Sequence, residues 1–292
     1  MRLSHRSAAR LVARAATHSI QNRACSTTTV HTIQNIDIHL PNIERPHEQA
    51  RPRVAKLSQG LGQHGCGDGT SSVVWHSARV LSEHLASEGS LPAAPYVEVG
   101  AGLGLCGLTL AKLVEERKEH SGSPELPLVY QTDGDDEAVA LLQSTAIFNG
   151  IGHLIRAHGL EWGNRQQTSA LLDQLDEPPG LVIGSDVLYD INAIPALVET
   201  IAQLGAPLTL IAFPPRHPGI AGGSSCREME GLEQHAAKHG LRVELLKQRA
   251  TLQARPSDEQ QQDPPRDPAR TSRWVDGVWL VALRAGGAEK PP

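Results

Sequence analysis

The stretch Tyr96-Val-Glu-Val-Gly-Ala-Gly-Leu-Gly-Leu105 decides the fold of this chain. Its first four residues have the composition of a short strand, and residues 105–114 have the apolar spacing of a helix. The glycines between them allow the backbone to approach a ligand closely, and the start of the helix offers free N–H groups. The stretch therefore predicts a ligand-binding turn, for which a glycine-rich turn without a ligand is the plain alternative. The candidate binding positions in the turn are Gly100, Ala101 and Gly102.

Two acidic residues indicate which ligand this turn would hold. The glycines at 102, 104 and 107 also satisfy the dinucleotide pattern, which expects an acidic residue ~20 residues further on. Asp133 ends the next predicted strand roughly 30 residues on, where its carboxylate can accept both hydroxyls of a ribose. Glu98 lies beneath the ligand position, and a carboxylate there suits a cation and would repel a pyrophosphate. The pair favours S-adenosylmethionine, which carries an ammonium and a sulfonium, over NAD, and an NAD-dependent oxidoreductase remains as an alternative.

Alternating strand and helix patterns surround the turn. Helices are predicted over 75–86, 105–114, 137–149, 194–204 and 228–239. Strands are predicted over 96–99, 128–132, 154–162, 181–184, 208–213, 241–246 and 275–283. Such alternation indicates parallel crossovers, whereas the last two strands lack a helix between them and are expected to pair as an antiparallel hairpin. The expected fold is α/β, with a Rossmann-like, seven-stranded, mostly parallel sheet, helices on both faces and a flexible polar insertion at 251–273.

The N-terminal segment differs in charge from the rest of the chain. Residues 1–36 contain five arginines and no acidic side chain. Four of these arginines are spaced so that a helix would carry them on one face, which is typical of an organelle transit peptide: Arg2, Arg6, Arg10 and Arg14. Arg23-Ala24-Cys25 resembles a matrix-processing site. We therefore expect 1–36 to be a mitochondrial transit peptide or a disordered basic arm, with a plastid or cytoplasmic location as the alternative, and 37–292 to form one domain.

Composition excludes several other classes of protein. The net charge is −5, which argues against a nucleic-acid binder with a broad basic face. The chain contains no run of 18 apolar residues that would span a membrane. Its four cysteines form no Cys-x-x-Cys pair and its histidines form no His-Glu-x-x-His motif, so no metal site is predicted. We expect a monomer whose partner is neither a nucleic acid nor a membrane.

Five segments in order resemble one known family. The turn Glu-Val-Gly-Ala-Gly-Leu-Gly is similar to the cofactor motif of seven-strand, S-adenosylmethionine-dependent methyltransferases. More narrowly, the chain resembles the protein-lysine methyltransferases called methyltransferase family 16 over roughly residues 60–285. The other segments that carry the resemblance are Gly69-Thr-Ser-Ser-Val-Val-Trp75-His-Ser-Ala78, Gln131-Thr-Asp133-Gly134-Asp135 with Asn149, Leu160-Glu161-Trp162-Gly163, and Ser185-Asp186-Val-Leu-Tyr189-Asp190.

The resemblance implies roles for residues outside the turn. Trp75 and Trp162 would border the cofactor, the second beside its adenine, and Ser185 would contact it through backbone atoms. Asp186 would capture and orient the acceptor lysine. Tyr189 would line the lysine channel or form a hydrogen bond with the amine. Each has a structural alternative: core packing for the two tryptophans, a helix N-cap for Asp186, and packing against the sheet for Tyr189.

The implied function is S-adenosylmethionine-dependent methylation of a lysine side chain in a protein substrate. Fold and cofactor site do not determine the acceptor, so a small molecule or a histidine side chain stays as an alternative. A protein that binds the cofactor without catalysis, and serves as an interaction module, is a second alternative.

Overall fold

The computed structural model describes residues 28–41, 73–121, 127–220, 225–249 and 277–286. Its strands are β1 (Thr28–Ile33), β2 (Ile36–Pro41), β3 (Tyr96–Val99), β4 (Val129–Asp133), β5 (Ile155–Gly159), β6 (Leu181–Ser185), β7 (Thr209–Phe213), β8 (Leu241–Arg249) and β9 (Val278–Ala285). Its helices are α1 (His76–Ser87), α2 (Leu105–Ser121), α3 (Asp136–Phe148), α4 (Arg165–Leu172), α5 (Ile194–Leu204) and α6 (Arg227–Lys238), with a 3-10 turn at Ile191–Ala193.

Seven strands form one sheet in the order β5-β4-β3-β6-β7-β9-β8. Strands β3 to β7 are parallel, whereas β9 pairs antiparallel with both β7 and β8. The predicted fold class, including the C-terminal hairpin, is confirmed. The strand order reverses at β3, because β4 and β5 lie on one side of it and β6 and β7 on the other. In sheets of this kind, ligands bind at the carboxyl ends of the strands beside such a reversal.

Helices cover both faces of the sheet. One buried cluster joins α1, α2 and the β1–β2 hairpin to the sheet, with Leu81, Leu108 and Ile38 among its members. The other joins α5 and α6 to the opposite face, with Leu197 and Leu232 at its centre. The core is built mainly from aliphatic side chains, in keeping with the 3% aromatic content of the chain. The two faces bury the parallel strands from both sides, which positions their carboxyl ends as one rigid edge.

The N-terminal hairpin corrects the expected domain boundary. Strands β1 and β2 pair antiparallel from Thr28 to Pro41, so the ordered domain includes residues 28–36, which were assigned to the transit peptide or basic arm. The physical reason is the alternation of Ile36, Ile38 and Leu40, whose side chains are buried while the residues between them face outward. The assignment of 1–36 rested on its arginines, so the alternation of apolar and polar residues that begins at its end was not used. Residues 1–27 lie outside the described part of the chain.

Other differences between expectation and structure are local. The helix expected at 105–114 continues to Ser121, and the strand expected at 154–162 is limited to Ile155–Gly159. Helix α4 was missed because its sequence is polar, although the Asn164 side chain caps it by accepting from the Gln167 N–H. The insertion expected at 251–273 lies outside the described residues. Within the described ranges, no helix is long and apolar enough to cross a membrane.

Candidate functional site

The glycine turn after β3 lies at the strand reversal. Gly100, Gly102 and Gly104 have φ angles of 62°, 53° and 81°, a backbone conformation that other residues rarely adopt. The N–H of Ala101 donates to the Thr132 carbonyl at 2.9 Å, which ties the turn to the end of β4. The glycine positions of the predicted turn are therefore explained by its backbone path.

Two of the glycines are needed for internal packing rather than for a ligand. A Cβ atom added to Gly104 would lie 2.6 Å from the Gln131 and Leu142 side chains. A Cβ atom added to Gly107 would lie 2.5 Å from Oε2 of Glu98. The dinucleotide-like spacing of these glycines thus follows from the close approach of α2 to β3 and β4, and it does not argue for NAD.

Glu98 lies below the turn and is only 1% exposed. Its Oε2 atom accepts hydrogen bonds from the Gly107 N–H at 3.0 Å and from Nε2 of Gln131 at 2.7 Å. Burial raises the pKa of Glu98 to about 7, against the opposing effect of these hydrogen bonds. The argument that a full negative charge faces a cationic ligand is therefore weakened. The observed hydrogen bonds instead join Glu98 to the start of α2 and to β4. Its part in cofactor binding stays a prediction.

Gln131 is a residue that sequence reasoning did not single out. It is buried, and its Nε2 also donates to the Gly104 carbonyl at 2.9 Å. One side chain thus connects Glu98 to the last glycine of the turn. The available signal was an amide side chain in a strand predicted to lie inside the sheet, where a buried amide needs hydrogen-bond partners.

Asp133, at the end of β4, contacts the turn directly. Its Oδ2 accepts from the Gly102 N–H at 2.8 Å, and its Oδ1 accepts from the Asp135 N–H at 3.0 Å. Burial raises the pKa of Asp133 above its usual range, although both N–H groups act in the opposite direction. Each carboxylate oxygen can accept more than one hydrogen bond, so a ribose diol at this edge still fits the side chain.

Trp162 lies against the glycine turn. A Cβ atom added to Gly100 would lie 3.0 Å from Cζ2 of Trp162 and 2.9 Å from Cγ1 of Val187. The indole also packs against the α5 and α6 core, and the next residue, Gly163, donates its N–H to Oγ1 of Thr200 at 2.8 Å. Trp162 is therefore half-buried in the core and also borders the turn, and its part in cofactor binding stays a prediction.

The remaining predicted cofactor residues lie on two other elements. Trp75 is half-buried and precedes α1, where its carbonyl accepts from the Ala78 N–H at 3.0 Å. Ser185 ends β6 and pairs in register with Ala212 of β7. The start of α1 reaches the site through Ser77, whose Oγ donates to Asp186 at 3.0 Å.

Asp186 follows β6 and is held in an unusual position. Its φ angle is 57°, it is 8% exposed, and its N–H donates to the Ala212 carbonyl at 2.8 Å. Left-handed backbone at a residue other than glycine often marks a functional site. The N-cap alternative is wrong, because the residue that caps the following 3-10 turn is Asp190.

The Asp186 carboxylate is already paired, which changes its expected role. Its Oδ1 accepts from Nη2 of Arg216 at 2.5 Å, while Oδ2 accepts from Ser77. A carboxylate in this state does not offer an uncompensated negative charge to a lysine ammonium. The residues missed here are Ser77 and Arg216; the second had a signal, because it follows the end of β7 at the same edge of the sheet.

Tyr189 lies at the open side of the site. It is 47% exposed, and its ring centroid is 6.5 Å from that of Trp162 with the planes tilted by 52°. Tyr189 is therefore largely exposed beside Trp162 rather than packed against the sheet.

No metal centre emerges from this site. His235 and His239 stand four residues apart on α6 and at its end, a spacing that can suit a metal. Across the ranges that the structure describes, however, no group of three or more potential metal-ligating side chains is found.

The strand order and the glycine turn define a methyltransferase-like α/β domain. The family model described as lysine methyltransferase matches residues 59–217, more than half of the chain, and the chain belongs to this family. The predicted family is thereby confirmed.

Individual relatives are distant. The protein N-lysine methyltransferase METTL21A of Xenopus tropicalis is 27% identical over 151 residues, which cover 51% of this chain and 61% of that protein. The chain thus matches less than two thirds of this relative's length. A transferase from Pyrococcus horikoshii has a TM-score of 0.46 at 16% identity, covering 88% of this chain and 70% of that one. An O-methyltransferase from Bacillus cereus in complex with SAH has a TM-score of 0.44 at 14% identity, covering 74% and 83%.

Proposed function

We propose that the protein transfers the methyl group of S-adenosylmethionine to a lysine side chain of a protein substrate. The observation that carries the proposal is the membership of the lysine methyltransferase family over residues 59–217. It is supported by the glycine turn, whose neighbours suit an adenosine ligand: a carboxylate from Asp133 and an indole from Trp162.

The residues around the turn form what we call the cofactor end: Gly100, Ala101, Gly102, Asp133 and Trp162, with Glu98 beneath them. The start of helix α2 would hold the polar part of the cofactor, Asp133 its ribose, and Trp162 the face of its adenine. Trp75 and the backbone of Ser185 would close the same pocket. When bound, S-adenosylmethionine supplies an electrophilic methyl group on a sulfonium.

Asp186, Tyr189 and Arg216 form what we call the acceptor end. A lysine amine attacks only after it has lost its proton, and at a pKa of ~10.4 this costs about 4.6 kcal/mol at pH 7. A narrow, partly dry channel lined by Tyr189 would favour the neutral amine by desolvation. Alignment of the amine with the methyl carbon would then account for much of the rate.

The proposal is tested with the full chain in two stages. Calorimetric titration with S-adenosylmethionine, S-adenosylhomocysteine and NAD is expected to give micromolar binding of the first two and none of the third. Transfer of a tritiated methyl group to an array of lysine-containing peptides, followed by amino-acid analysis, is expected to yield methyl-lysine. Binding of NAD alone would overturn the cofactor, and methyl-histidine would overturn the acceptor. Binding of S-adenosylmethionine without methyl transfer to any acceptor would favour the interaction module.

The protein's location is proposed on separate grounds. Arg2, Arg6, Arg10 and Arg14 favour import into mitochondria, and cleavage near Arg23-Ala24-Cys25 would leave the ordered hairpin complete, because β1 begins at Thr28. The full chain with a C-terminal fluorescent protein is expected in mitochondria, and a variant with these four arginines changed to glutamine is expected in the cytosol. Plastid or cytosolic fluorescence of the unaltered fusion would contradict this.

A further inference from the structure

The Asp186 carboxylate is held between two elements that are distant in sequence. Arg216, on the segment after β7, donates Nη2 to Oδ1, and Ser77, at the start of α1, donates its hydroxyl to Oδ2. The Asp186 side chain is only 7% exposed, and the Arg216 side chain is 29% exposed. Because the guanidinium remains charged at all accessible pH values, the carboxylate has a permanent counter-charge.

Arg216 is also fixed from its backbone. Its N–H donates to Oε1 of Glu228 on α6 at 3.0 Å, and Glu228 is fully buried. The same carboxylate contacts the ring Nδ1 of His217 at 2.7 Å. Among the described residues, the titratable groups that contact the backbone of Arg216 or its partner are therefore Glu228 and His217. Removal of a buried partner from such a network leaves an uncompensated charge, so Arg216 is not readily displaced.

This arrangement changes what an incoming lysine meets. A bare carboxylate within ~4–6 Å of an amine stabilises its charged form and raises its pKa. That would bind the lysine more tightly but hold it as an unreactive ammonium. A carboxylate neutralised by a fixed guanidinium does not have this effect, while it still provides oxygen atoms that can orient the amine.

On the basis of the proposed lysine methylation, we infer that Arg216 is a positioning residue of the acceptor end. Through its ion pair it holds Asp186 in place and neutralises its charge, so that the acceptor lysine is not trapped as an ammonium. In the transfer itself the lysine nitrogen forms a bond to the methyl carbon as the carbon–sulfur bond breaks, and the amine has released its proton to solvent beforehand.

The experiment uses the full chain and the peptide that the unaltered protein methylates best. Rates with tritiated S-adenosylmethionine are measured between about pH 6.5 and pH 9.5 for the unaltered protein, Arg216→Gln, Arg216→Lys and the double variant Asp186→Asn/Arg216→Gln. Arg216→Gln is expected to lower kcat roughly tenfold near neutral pH, to lower KM, and to move the rise of kcat about one pH unit toward alkali. Arg216→Lys retains a cation and is expected to keep the original pH profile.

The double variant separates neutralisation from a merely structural role. It removes both charges together, so it avoids an unpaired buried carboxylate even if Arg216→Gln fails to fold. Its pH profile is expected to coincide with that of the unaltered protein, whereas its kcat stays lower because the Asp186 carboxylate that orients the amine is also gone. A profile of the double variant displaced by about one unit in either direction, or a folded Arg216→Gln protein with no displacement, would overturn the inference.

Calorimetric titration of each variant with S-adenosylhomocysteine checks that the cofactor end is intact. If the unaltered protein methylates no peptide, the proposed function is contradicted and the inference with it. If the unaltered protein is active while the pH profiles of all variants coincide, only the inference is contradicted.

Discussion

The cofactor end and the acceptor end are stabilised by different kinds of contact. At the cofactor end most contacts involve the main chain of one turn, such as the bonds from the Gly102 and Ala101 N–H groups to the end of β4. At the acceptor end, a hydroxyl and a guanidinium from separate elements meet at the Asp186 carboxylate. The first end is therefore determined by backbone conformation and the second by the topology of the whole sheet, which predicts different sensitivities to mutation.

The two ends also differ in how burial affects their acids. Burial raises the pKa values of Glu98 and Asp133, whose hydrogen-bond donors are uncharged N–H groups. Asp186 is as closed to solvent as many core residues, yet its carboxylate has a guanidinium partner. The cofactor end consequently depends on pH through its own acids, and the acceptor end depends on an ion-pair network.

Removal of the Glu228 carboxylate is expected to have the largest effect on stability. Glu228→Ala would leave the buried N–H of Arg216 and the ring of His217 without their acceptor. The free energy of unfolding should fall by about 3–5 kcal/mol, measured by urea denaturation. Glu244→Ala, which removes an exposed carboxylate 3.7 Å from Arg284, is the control and should change it by less than about 0.5 kcal/mol.

The same variant tests whether the two ends are separate. Folded Glu228→Ala protein should bind S-adenosylhomocysteine with nearly unaltered affinity, because Glu228 contacts no residue of the glycine turn in the described contacts. A parallel loss of cofactor affinity would show that the acceptor network positions both ends.

An added methyl group at Gly100 should have the next largest effect. Gly100→Ala places a Cβ atom 2.9 Å from Val187 and 3.0 Å from Trp162 at a φ of 62°, so the turn or the indole has to shift. Overpacking costs ~1–3 kcal/mol, and affinity for S-adenosylmethionine should fall roughly a hundredfold in calorimetry.

Gly150→Ala is the matched control for this substitution. Gly150 has a similar φ of 77°, but nothing lies within 4 Å of its added Cβ. The control should lose stability through backbone strain and keep its cofactor affinity. Equal affinity losses in both variants would mean that strain, rather than contact at the turn, causes the effect.

The cofactor end could be predicted from sequence because its signals are contiguous. The glycine pattern, the strand before it and the acid that ends the next strand are all readable from local period and spacing. The acceptor end was predicted only as far as Asp186 and Tyr189, which belong to one short motif. Ser77 and Arg216 are 109 and 30 residues from Asp186, and they meet it only because α1 and β7 reach the same edge of the sheet.

Two other differences have physical causes in the sequence. Residues 28–36 were assigned together with the arginine-rich segment before them because they contain no acidic side chain, whereas the burial of Ile33 and Ile36 depends on alternation that continues past that boundary. Glu98 was expected to act through its charge, but burial beneath the turn was not visible from its position in the strand. Composition and local spacing thus predicted the architecture better than the electrostatics.

The pH dependence of stability sharpens the contrast between the ends. Because the pKa of Glu98 is raised to about 7 in the folded protein from 4.5, its contribution to stability is present below the lower value and is lost as pH rises through the higher one. Between about pH 5 and pH 7, this ionisation should lower the free energy of unfolding of the unaltered protein by about 2 kcal/mol. Glu98→Gln stays neutral, so its free energy of unfolding should not show this decrease. Thermal or urea unfolding across this range provides the measurement. Glu244→Gln, on the surface, should leave the dependence of unfolding free energy on pH unaltered. The same unaltered dependence in Glu98→Gln would contradict the raised pKa of Glu98.

The smallest expected effect locates the boundary between the ends. Trp162 and Tyr189 are neighbouring rings, and Trp162 is the one that lies against Gly100. Trp162→Leu should weaken binding of S-adenosylhomocysteine about tenfold through lost stacking and burial, measured by calorimetry, whereas Tyr189→Leu should change it less than about twofold. Tyr189→Leu should instead lower methyl transfer to the peptide acceptor. Equal losses of cofactor affinity would mean that the two rings form one binding surface, and that the boundary lies between Tyr189 and Asp186 instead.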